Sequence, residues 1–507
     1  MHRALRLLAS AHVGDYDGPM AAPAAAEVGE HRRRRTALRG GRAPLGLGAL
    51  ATAITVATLL LAWAQKSPCL ETYRAPGGGI SLEWRNYRQY RLACYSDPVP
   101  LYGAEHLDEP GAFPYQVSWI EGQGTSARRV RHMEYPVLTG LLMWVAAKGA
   151  QGYTSLVGGA AAHSVTSAAI AFFDILAAVA AACWLYAVWC LRRLTPGRLP
   201  FLMLLAAAAP LVIVQAYTNF DMMAVAFATG SMYAWSRGRV TLAGALIGLG
   251  TAAKLYPLLL LIPLLVLCLR AGKLAEWRRA LLAALLSWEA VNLPILVLYP
   301  QGWIEFFRMN SLRGANPETL YSAIMHFTGW GGFDGPLATN QAPTELNAFI
   351  AAVMILVTAA VGVVALSAPR RPRVAQLGFL LVCAFLITNK VWSPQYSLWL
   401  LPLALLALPR PRVILVWTLM EAWVWVATMY NLLPEAEGGF GMGPLAITVF
   451  VRAALLLALC ARVLYEIYHP ERDPVRAGGI DDPAGGVLSD APDRFRLRVR
   501  RRLSCAT

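Results

Sequence analysis

The sequence predicts an all-α, polytopic membrane protein, a bundle of about 12 transmembrane helices with an interfacial helix and a large first outer loop. Of its 507 residues, 57% are hydrophobic and only 15% are charged, whereas soluble domains average about 25% charged residues. Long apolar stretches recur between residues 45 and 465, which is typical of membrane-spanning helices. The alternation typical of outer-membrane strands does not occur, and this excludes a β-barrel.

The order of the apolar stretches predicts the topology. Spans are predicted at about 45–64, 165–191, 200–218, 220–236, 239–256, 257–271, 276–298, 347–367, 374–389, 396–409, 412–430 and 444–466. If the first span starts in the cytosol, each short cytosolic loop is basic, for example "RRLTPGR" (192–198) and "RRPR" (370–373). Because cytoplasmic loops are enriched in Lys and Arg, we expect a plasma-membrane protein with cytoplasmic termini and an extracytoplasmic active site.

One apolar stretch does not fit as a span. "YPVLTGLLMWVAAKGA", which starts at Tyr135, would reverse all later helices if it crossed the membrane, so we interpret it as a re-entrant or interfacial helix on the outer face. The predicted organisation is a disordered basic cytosolic tail (1–44), a transmembrane domain (45–466) and a cytosolic basic tail (467–507). The domain has two large extracytoplasmic segments, 65–164 and 299–346.

Several functional classes can be excluded or ranked. The net charge of +15 comes from basic clusters between apolar runs, which indicates membrane orientation rather than nucleic-acid binding. No CxxC or HExxH spacing occurs, so the sequence predicts neither a metal site nor a cofactor. Carriers usually bind their substrate near the midplane between internal repeats, and no repeat is found. The large outer loops therefore favour an enzyme over a carrier.

Charged residues at the outer ends of the spans are candidates for its chemistry. Asp97 in "YSDPVPLY" can act as a general base near the membrane surface, or it can simply form an Asx-turn before Pro98. Asp221 and Lys254 lie at outer helix junctions of matching depth. They can form an ion pair, or Lys254 can face a phosphate.

Two further regions contain candidate ligands. Lys390 in "ITNKVWSPQYSLW" can bind a phosphate, or it can extend to the headgroup layer with no other role. The nearby aromatic residues Trp392 and Tyr396 can pack on a substrate or belong to the interfacial aromatic belt. In the second outer segment, Arg308 and His326 are candidates to meet a polar substrate from above.

Other polar residues have open roles. Glu134 and Tyr135 lie at the start of the interfacial helix and can line the site, although Glu134 can also be a first-turn helix acid. The intramembrane acids Asp174, Glu289 and Glu421 can face a cavity or form interhelical hydrogen bonds. Cys69 and Cys94 are the only cysteines predicted outside, where a disulfide between them is possible.

The chain resembles the GT-C superfamily of integral-membrane glycosyltransferases, and most closely glycosyltransferase family 87. The resemblance rests on "YPVLTGLL", "TNFDMMAVAFATG", "GLGTAAKLYPLLLLIPLLV" and "NKVWSPQYSLWLLPL" and extends over about residues 45–465. The family includes polyprenyl-phosphate-mannose-dependent α-mannosyltransferases and related arabinofuranosyltransferases of actinobacteria. The resemblance therefore implies a GT-C-like bundle, a polyprenyl-phosphate sugar as donor, and a cell-envelope glycolipid or polysaccharide as acceptor.

The resemblance also implies that an acid of the first outer loop is the catalytic base, which here is Asp97. The family often has an aliphatic residue and a tyrosine after this acid, whereas prolines follow it here, so Glu105, Asp108 and Glu134 remain alternatives. The expected reaction is metal-independent and inverting, with Lys390, Lys254 and Arg308 binding the donor phosphate. A lipid or sugar-lipid transporter and an envelope-assembly scaffold are the alternative functions.

Overall fold

The computed structural model describes residues 45–497 except 123, 125–127, 158–163, 196–199, 478, 480 and 490. The predicted tail 1–44 and residues 498–507 lie outside the described residues. The described chain is almost entirely helical, which confirms the predicted all-α membrane fold. Two short antiparallel hairpins are present in the first large segment, β1 (Thr72–Arg74) with β2 (Ile80–Leu82) and β3 (Trp119–Glu121) with β4 (Arg129–Arg131).

Outside the two large segments, the helices follow one another with short connections. In chain order they are α1 (Leu45–Lys66), α2 (Pro98–Ala104), α3 (Val137–Val157), α4 (Val165–Leu194), α5 (Pro200–Ala207), α6 (Pro210–Gln215), α7 (Asp221–Ser236), α8 (Val240–Ala253), α9 (Leu261–Ala271), α10 (Leu274–Leu298), α11 (Pro300–Leu312), α12 (Leu320–Thr328), α13 (Thr344–Ser367), α14 (Val374–Thr388), α15 (Ser397–Ala407), α16 (Pro411–Leu432) and α17 (Met442–Tyr468). Single helical turns and 3₁₀ segments, such as Tyr256–Leu260 before α9, complete the chain.

Six of the described helices are long and apolar enough to cross a membrane: α1, α4, α10, α13, α16 and α17. The other six predicted spans are also helical but shorter than expected. The predicted helix 200–218 is two helices, α5 and α6, because the chain leaves the helix before Pro210, which cannot donate a backbone hydrogen bond. Helices α11 and α12, within the second large segment, were not predicted.

The two ends of the bundle differ in character. We call the end with residues 67–136 and 299–343 the site face, and the opposite end, with connections 237–239, 272–273, 368–373 and 408–410, the basic face. Helices α1 and α4 run antiparallel between them: Gly48 lies against the Arg192 guanidinium near the basic face, and Trp63 bonds to Asp174 nearer the site face. The short helix α15 is buried along its whole length and leads from the site face into the core.

Helix α3 follows the first large segment and packs against α4, with Met143 and Ala147 in one hydrophobic cluster with Phe172. Thr139 near its start donates to the carbonyl of Ala253, at 2.8 Å. Trp144 and Gln151 further along donate to the carbonyls of Ala112 and Leu107 in that segment, at 3.0 and 2.9 Å. The helix therefore contacts both the end of α8 and the first large segment.

The described residues between 469 and 497 are folded against the basic face. Asp493 accepts from Arg270 at 2.6 Å and forms an ion pair with Arg371 at 2.9 Å. Arg373 pairs with Asp473 at 2.8 Å, and both side chains are completely or almost completely buried. Acids of this segment thus neutralise some of the arginines in the basic connections.

Candidate functional site

Asp97 lies at the start of the short helix α2. Pro98 occupies the first helical position, where a missing N–H costs no hydrogen bond and the fixed φ favours helix initiation. The Asp97 N–H donates to the carbonyl of Thr218 at 2.9 Å, and the hydroxyl of the preceding Ser96 donates to that of Tyr217 at 2.6 Å. These bonds join the first large segment to the loop between α6 and α7.

Asn219 in that loop connects Asp97 to a lysine. Its Oδ1 accepts from the N–H of Phe220 at 2.7 Å and from Lys254 Nζ at 3.3 Å. Its Nδ2 therefore points the other way and donates to Asp97 Oδ2 at 2.6 Å. One amide thus contacts both a carboxylate and an ammonium, which fixes their relative positions.

Burial raises the pKa of the Asp97 carboxyl above its usual value. Hydrogen bonds from Asn219 and Tyr95 and the positive charge of Lys254 oppose this shift without cancelling it. A second ammonium, that of Lys66, donates to the carbonyl of Tyr95 at 2.9 Å and interacts electrostatically with Asp97. Asp97 is therefore a buried carboxyl with a raised pKa, which suits an acid that must accept a proton.

Lys254 forms the predicted ion pair with Asp221, with 3.7 Å between Nζ and Oδ1. Burial lowers the pKa of Lys254. Electrostatic interactions with Asp221, Tyr396 and Asp97 outweigh this effect, so the pKa of Lys254 is raised. Asp221 is only 1% exposed, and its Oδ1 also accepts from Trp399 Nε1 at 2.7 Å. Its Oδ2 has no hydrogen-bond donor among the described residues, and this leaves a buried acceptor for a polar ligand.

Three aromatic rings form one wall of the site. Tyr396 stacks on Trp399 with 4.1 Å between ring centroids, and Trp399 stacks on Tyr256 at 4.5 Å. The Lys254 ammonium lies 5.6 Å from the Tyr396 ring and 5.8 Å from the Tyr135 ring, within the range of cation–π attraction. Of the predicted substrate-lining residues, Tyr135, Asp221 and Tyr396 are thus brought together around Lys254.

We call the group formed by Asp97, Tyr135, Asn219, Asp221, Lys254, Tyr396 and Trp399 the Lys254 cluster. Lys390 does not belong to it. Its ammonium donates to Asn347 Oδ1 and, at 3.2 Å, to the carbonyl of Ser311, and the residue is only 7% exposed. Burial lowers the Lys390 pKa to about 8, and the charge of Arg313 adds to this effect. The Arg313 charge also acts on Lys254 and Tyr396. Arg313 is therefore within electrostatic range of both lysines, and its side chain is 39% exposed.

An ion-pair network centred on Arg131 joins the first large segment to the second. The Arg131 guanidinium contacts Glu121, Glu134 and Glu305 at 2.8–3.0 Å. The predicted phosphate ligand Arg308 belongs to this network: it donates to Glu305 at 2.7 Å and to the carbonyl of Val130 at 2.9 Å. Arg308 thus joins the two large segments and is not part of the Lys254 cluster.

The predicted site residue Glu134 connects this ion-pair network to the residues around Lys254. Its two carboxylate oxygens accept from Arg131 at 2.8 Å and from Arg313 at 3.1 Å. Glu134 precedes Tyr135, whose hydroxyl is 3.4 Å from Asn219 Nδ2. Glu134 therefore orients Arg313, and each of its two carboxylate oxygens already accepts from an arginine.

Two predicted substrate-lining residues lie elsewhere. Trp392 is 0% exposed and packs beneath the Arg452 guanidinium, 4.0 Å from its ring centroid, so it has no surface for a substrate to contact. His326 is exposed on α12 and faces Gly443, at the start of α17. The sequence could not separate Trp392 from Tyr396, because both are aromatic residues beside an outer helix end.

The intramembrane acids take three different positions. Asp174 and Glu289 are exposed on the surface of the bundle, so neither forms the floor of a cavity as their depth suggested. Asp174 accepts an interhelical hydrogen bond from Trp63 at 2.9 Å, the alternative considered from the sequence. Glu421 is fully buried and pairs with Arg452 at 2.9 Å.

The alternative bases are placed less favourably than Asp97. Glu105 is 6% exposed, and burial followed by the charge of Glu134 raises its pKa well above the usual value. Asp108 is half-buried on the far side of α2 from Asp97. Glu105 and Asp108 make no hydrogen bond to Lys254 or Asn219.

Cys69 and Cys94, the pair for which a disulfide was considered, are bonded, with 5.6 Å between their Cα atoms. This bond closes the part of the first large segment that precedes Asp97. Among the described residues no group of three or more His, Cys, Asp or Glu side chains is arranged to hold a metal ion.

Two apolar clefts adjoin the cluster. The first is narrow, about 20 Å³; it runs along α4 from Phe173 to Cys183 and reaches Pro98 and Asn219. The second, about 10 Å³, lies between α3, α8, α10 and α11. Its walls are largely aromatic and include Tyr135, Leu255, Trp288, Trp303 and Phe307. Since Leu255 and Phe307 are exposed, this cleft connects the Lys254 cluster with the outer surface of the bundle.

Several residues of the cluster were not selected from the sequence as site residues. Lys66 and Tyr95 gave no signal because they lie at a helix end and in a loop like many others. Asn219, Trp399 and Arg313 belong to recognisable polar or aromatic stretches, but only their contacts show that they converge on Asp97 and Lys254.

The chain was compared with known proteins. The model of one family, glycosyltransferase family 87, matches residues 134–394, which is just over half of the 507 residues. No curated protein matches the chain.

Proposed function

Because this chain belongs to glycosyltransferase family 87, we propose that it transfers a sugar, with mannose favoured, from a polyprenyl-phosphate donor to a glycolipid or polysaccharide of the cell envelope. The observation that supports this most is the contact of Asn219 with both Asp97 and Lys254. An inverting transfer needs a base on one side of the anomeric carbon and a cation at the leaving phosphate on the other. The cluster provides both at one end of a membrane bundle.

In the proposed reaction the acceptor hydroxyl donates to Asp97. Its oxygen bonds to the anomeric carbon while the bond from that carbon to the phosphate oxygen breaks. The proton passes to Asp97, and polyprenyl phosphate leaves with the electron pair. Inversion converts a β-linked donor into an α-linked product. Asp97 is preferred over Glu105, Asp108 and Glu134 because it alone is held beside Lys254 by Asn219.

Lys254 and Arg313 are the proposed phosphate ligands nearest the base. Lys254 is held between two aromatic rings, and Arg313 is partly exposed and oriented by Glu134. Fixed cations of this kind stabilise the charge that develops on the leaving phosphate. The unpaired Oδ2 of Asp221 can accept from a sugar hydroxyl. The aromatic cleft beside Leu255 is the proposed path of the isoprenoid chain.

The proposed location is the plasma membrane, with the site face extracytoplasmic and both termini cytoplasmic. Arginines without acidic partners concentrate at the basic face, as expected for a cytoplasmic side, whereas Arg129 and Arg131 at the site face are paired with acids. A cysteine introduced at Arg192 should be labelled only from the cytoplasmic side. Labelling from outside would contradict this topology.

Purified protein in detergent, given labelled polyprenyl-phosphate mannose and a cell-envelope lipid extract, should form a labelled product without any ion gradient. Polyprenyl-phosphate arabinofuranose in a parallel reaction tests the choice of sugar. A transporter would instead move the labelled lipid across proteoliposomes without forming a product. Absence of product with both donors, together with such movement, would favour the transporter.

Substitution of Lys254 should reduce turnover more than substitution of Lys390. Lys254→Met removes the cation nearest the base, and we expect kcat/KM to fall roughly 100-fold or more. Lys390→Met removes a cation that is bound to Asn347 and Ser311, and the expected fall is about 10-fold at most. Initial rates over a range of donor concentration measure both. An equal or reversed order would refute the assignment of Lys254.

The pH dependence of the reaction should reflect the raised Asp97 pKa. The base must be ionised, so kcat/KM should fall as the pH drops through this raised value. Asn219→Ala removes a hydrogen bond that lowers the Asp97 pKa, so the acid limb should move up by about one pH unit. Asn310→Ala, on the surface of α11, is the control and should leave the profile unchanged. An unmoved limb in Asn219→Ala would show that a different group titrates.

A further inference from the structure

A third cavity lies at the basic face, remote from Asp97 and Lys254. It is a groove of about 310 Å³ between the beginning of α16 and the end of α17. Its apolar walls are hydrocarbon side chains of two membrane-spanning helices, and an arginine stands on each helix beside them. The principal lining residues are Arg412, Val413, Val416, Leu455, Ala458 and Arg462.

The groove is open to the surroundings of the bundle. Val413 and Val416 are 41% and 55% exposed although they lie on a helix that spans the membrane. On α17 the lining residues extend from Leu455 to Arg462, about 10 Å along the axis at 1.5 Å per residue. A groove of this length and composition suits the first part of an acyl chain.

The charge at the groove is unbalanced. Arg462 pairs with Glu466 at 3.1 Å, but Glu466 is already paired with Arg410 at 2.7 Å. Arg412 forms no ion pair with any described residue. Two arginines therefore share one carboxylate and a third, Arg412, has no acidic partner among the described residues, which favours a ligand with negative charge and an apolar tail.

We propose that this groove binds one anionic phospholipid of the leaflet on the basic face, with its phosphate at Arg412 and Arg462 and an acyl chain along Val416 and Ala458. A free phosphate would leave the apolar walls uncovered. A zwitterionic lipid would leave the excess positive charge uncompensated. This site is independent of the proposed transfer reaction.

The groove is also connected to the loop that holds Tyr396 and Lys390. Trp417 lines the groove and donates from Nε1 to Glu421 Oε1 at 2.9 Å. Glu421 pairs with Arg452, which donates to the carbonyl of Trp392 at 2.9 Å. A lipid that packs on Trp417 therefore supports the pair of helices that fixes this loop.

The experiment measures lipid binding to the full-length protein. Protein purified in a mild detergent is analysed by native mass spectrometry, and its Tm is measured with added phosphatidylglycerol or phosphatidylcholine at equal concentration. For the unmodified chain we expect phosphatidylglycerol to be retained and to raise the Tm, and phosphatidylcholine to do neither. Equal effects of the two lipids would overturn the proposed preference for an anionic headgroup.

Three variants test the part of the site that binds the phosphate and the part that binds the acyl chain. Arg412→Gln combined with Arg462→Gln should weaken phosphatidylglycerol binding roughly tenfold. Ala458→Trp keeps both arginines but fills the groove, and it should also abolish retention; Val416→Trp, at an exposed position, serves the same purpose if Ala458→Trp does not fold. Arg278→Gln combined with Arg279→Gln removes two exposed arginines of the same face and should bind like the unmodified protein. Retention that survives filling of the groove would show that the arginines attract headgroups without a groove site.

Discussion

Asp97→Asn should reduce kcat by roughly 10³-fold, because removal of a general base typically costs 10²- to 10⁴-fold. Asparagine has nearly the same shape and can still occupy the start of α2, so the fold and donor binding should be preserved. The measurements are the rate of transfer at saturating donor, the Tm, and binding of a polyprenyl phosphate. The expected result is a protein that binds but does not turn over.

The control for this variant is Asp108→Asn, another acid of the first large segment that makes no contact with Asn219 or Lys254. It should retain nearly full activity. If Asp97→Asn turned over normally, the base would have to be another group, and Glu105→Gln would be the next variant to test. Loss of activity together with a large fall in Tm would instead indicate that Asp97 is needed for folding.

The second large effect is a loss of stability, expected when the buried ion pair between Glu421 and Arg452 is broken. Both side chains are 0% exposed and the ion pair is 2.9 Å long. Arg452 also donates to Ser397 Oγ at 2.9 Å, and Glu421 accepts from the same hydroxyl at 2.6 Å. Arg452→Met leaves the Glu421 carboxylate without its counter-ion, and we expect a loss of about 3–5 kcal/mol in the free energy of unfolding.

Denaturation of the purified protein measures this loss. The double variant Arg452→Met and Glu421→Leu removes both charges and should recover much of it, because a buried ion pair contributes little beyond its own desolvation cost. Arg279→Met breaks an exposed pair with Glu276 and should change stability by less than about 1 kcal/mol. A double variant that is no more stable than Arg452→Met would mean that hydrogen bonds to the 392–397 loop, rather than the uncompensated charge, account for the loss.

The same contacts have a consequence for the site. Arg452 holds the carbonyl of Trp392, and the loop that follows leads to Tyr396, whose ring is beside Lys254. Arg452 and Glu421, which lie away from the site face, thus help to position Tyr396 in the aromatic wall. Glu421 was recognised from the sequence as an intramembrane acid that needs a partner, but its partner lies 31 residues away on another helix.

Much of the architecture follows from local composition. Hydrocarbon accepts only helices with long apolar stretches, so the six long spans could be placed to within a few residues. The shorter helices were less predictable. The break before Pro210 divides an apolar run that the sequence predicts as one helix, 200–218.

The sequence by itself determined the class of the protein, the helices, the two large segments and the family, because hydropathy, basic clusters and short motifs are properties of neighbouring residues. It also identified Asp97, Asp221 and Lys254 as polar residues at helix ends. Only the tertiary structure decided that Asn219 joins Asp97 to Lys254, that Lys390 bonds to Asn347 instead, and that Arg308 belongs to an ion-pair network. The physical reason is that these positions are separated by tens to hundreds of residues, and the packing of several helices sets which polar groups can satisfy one another.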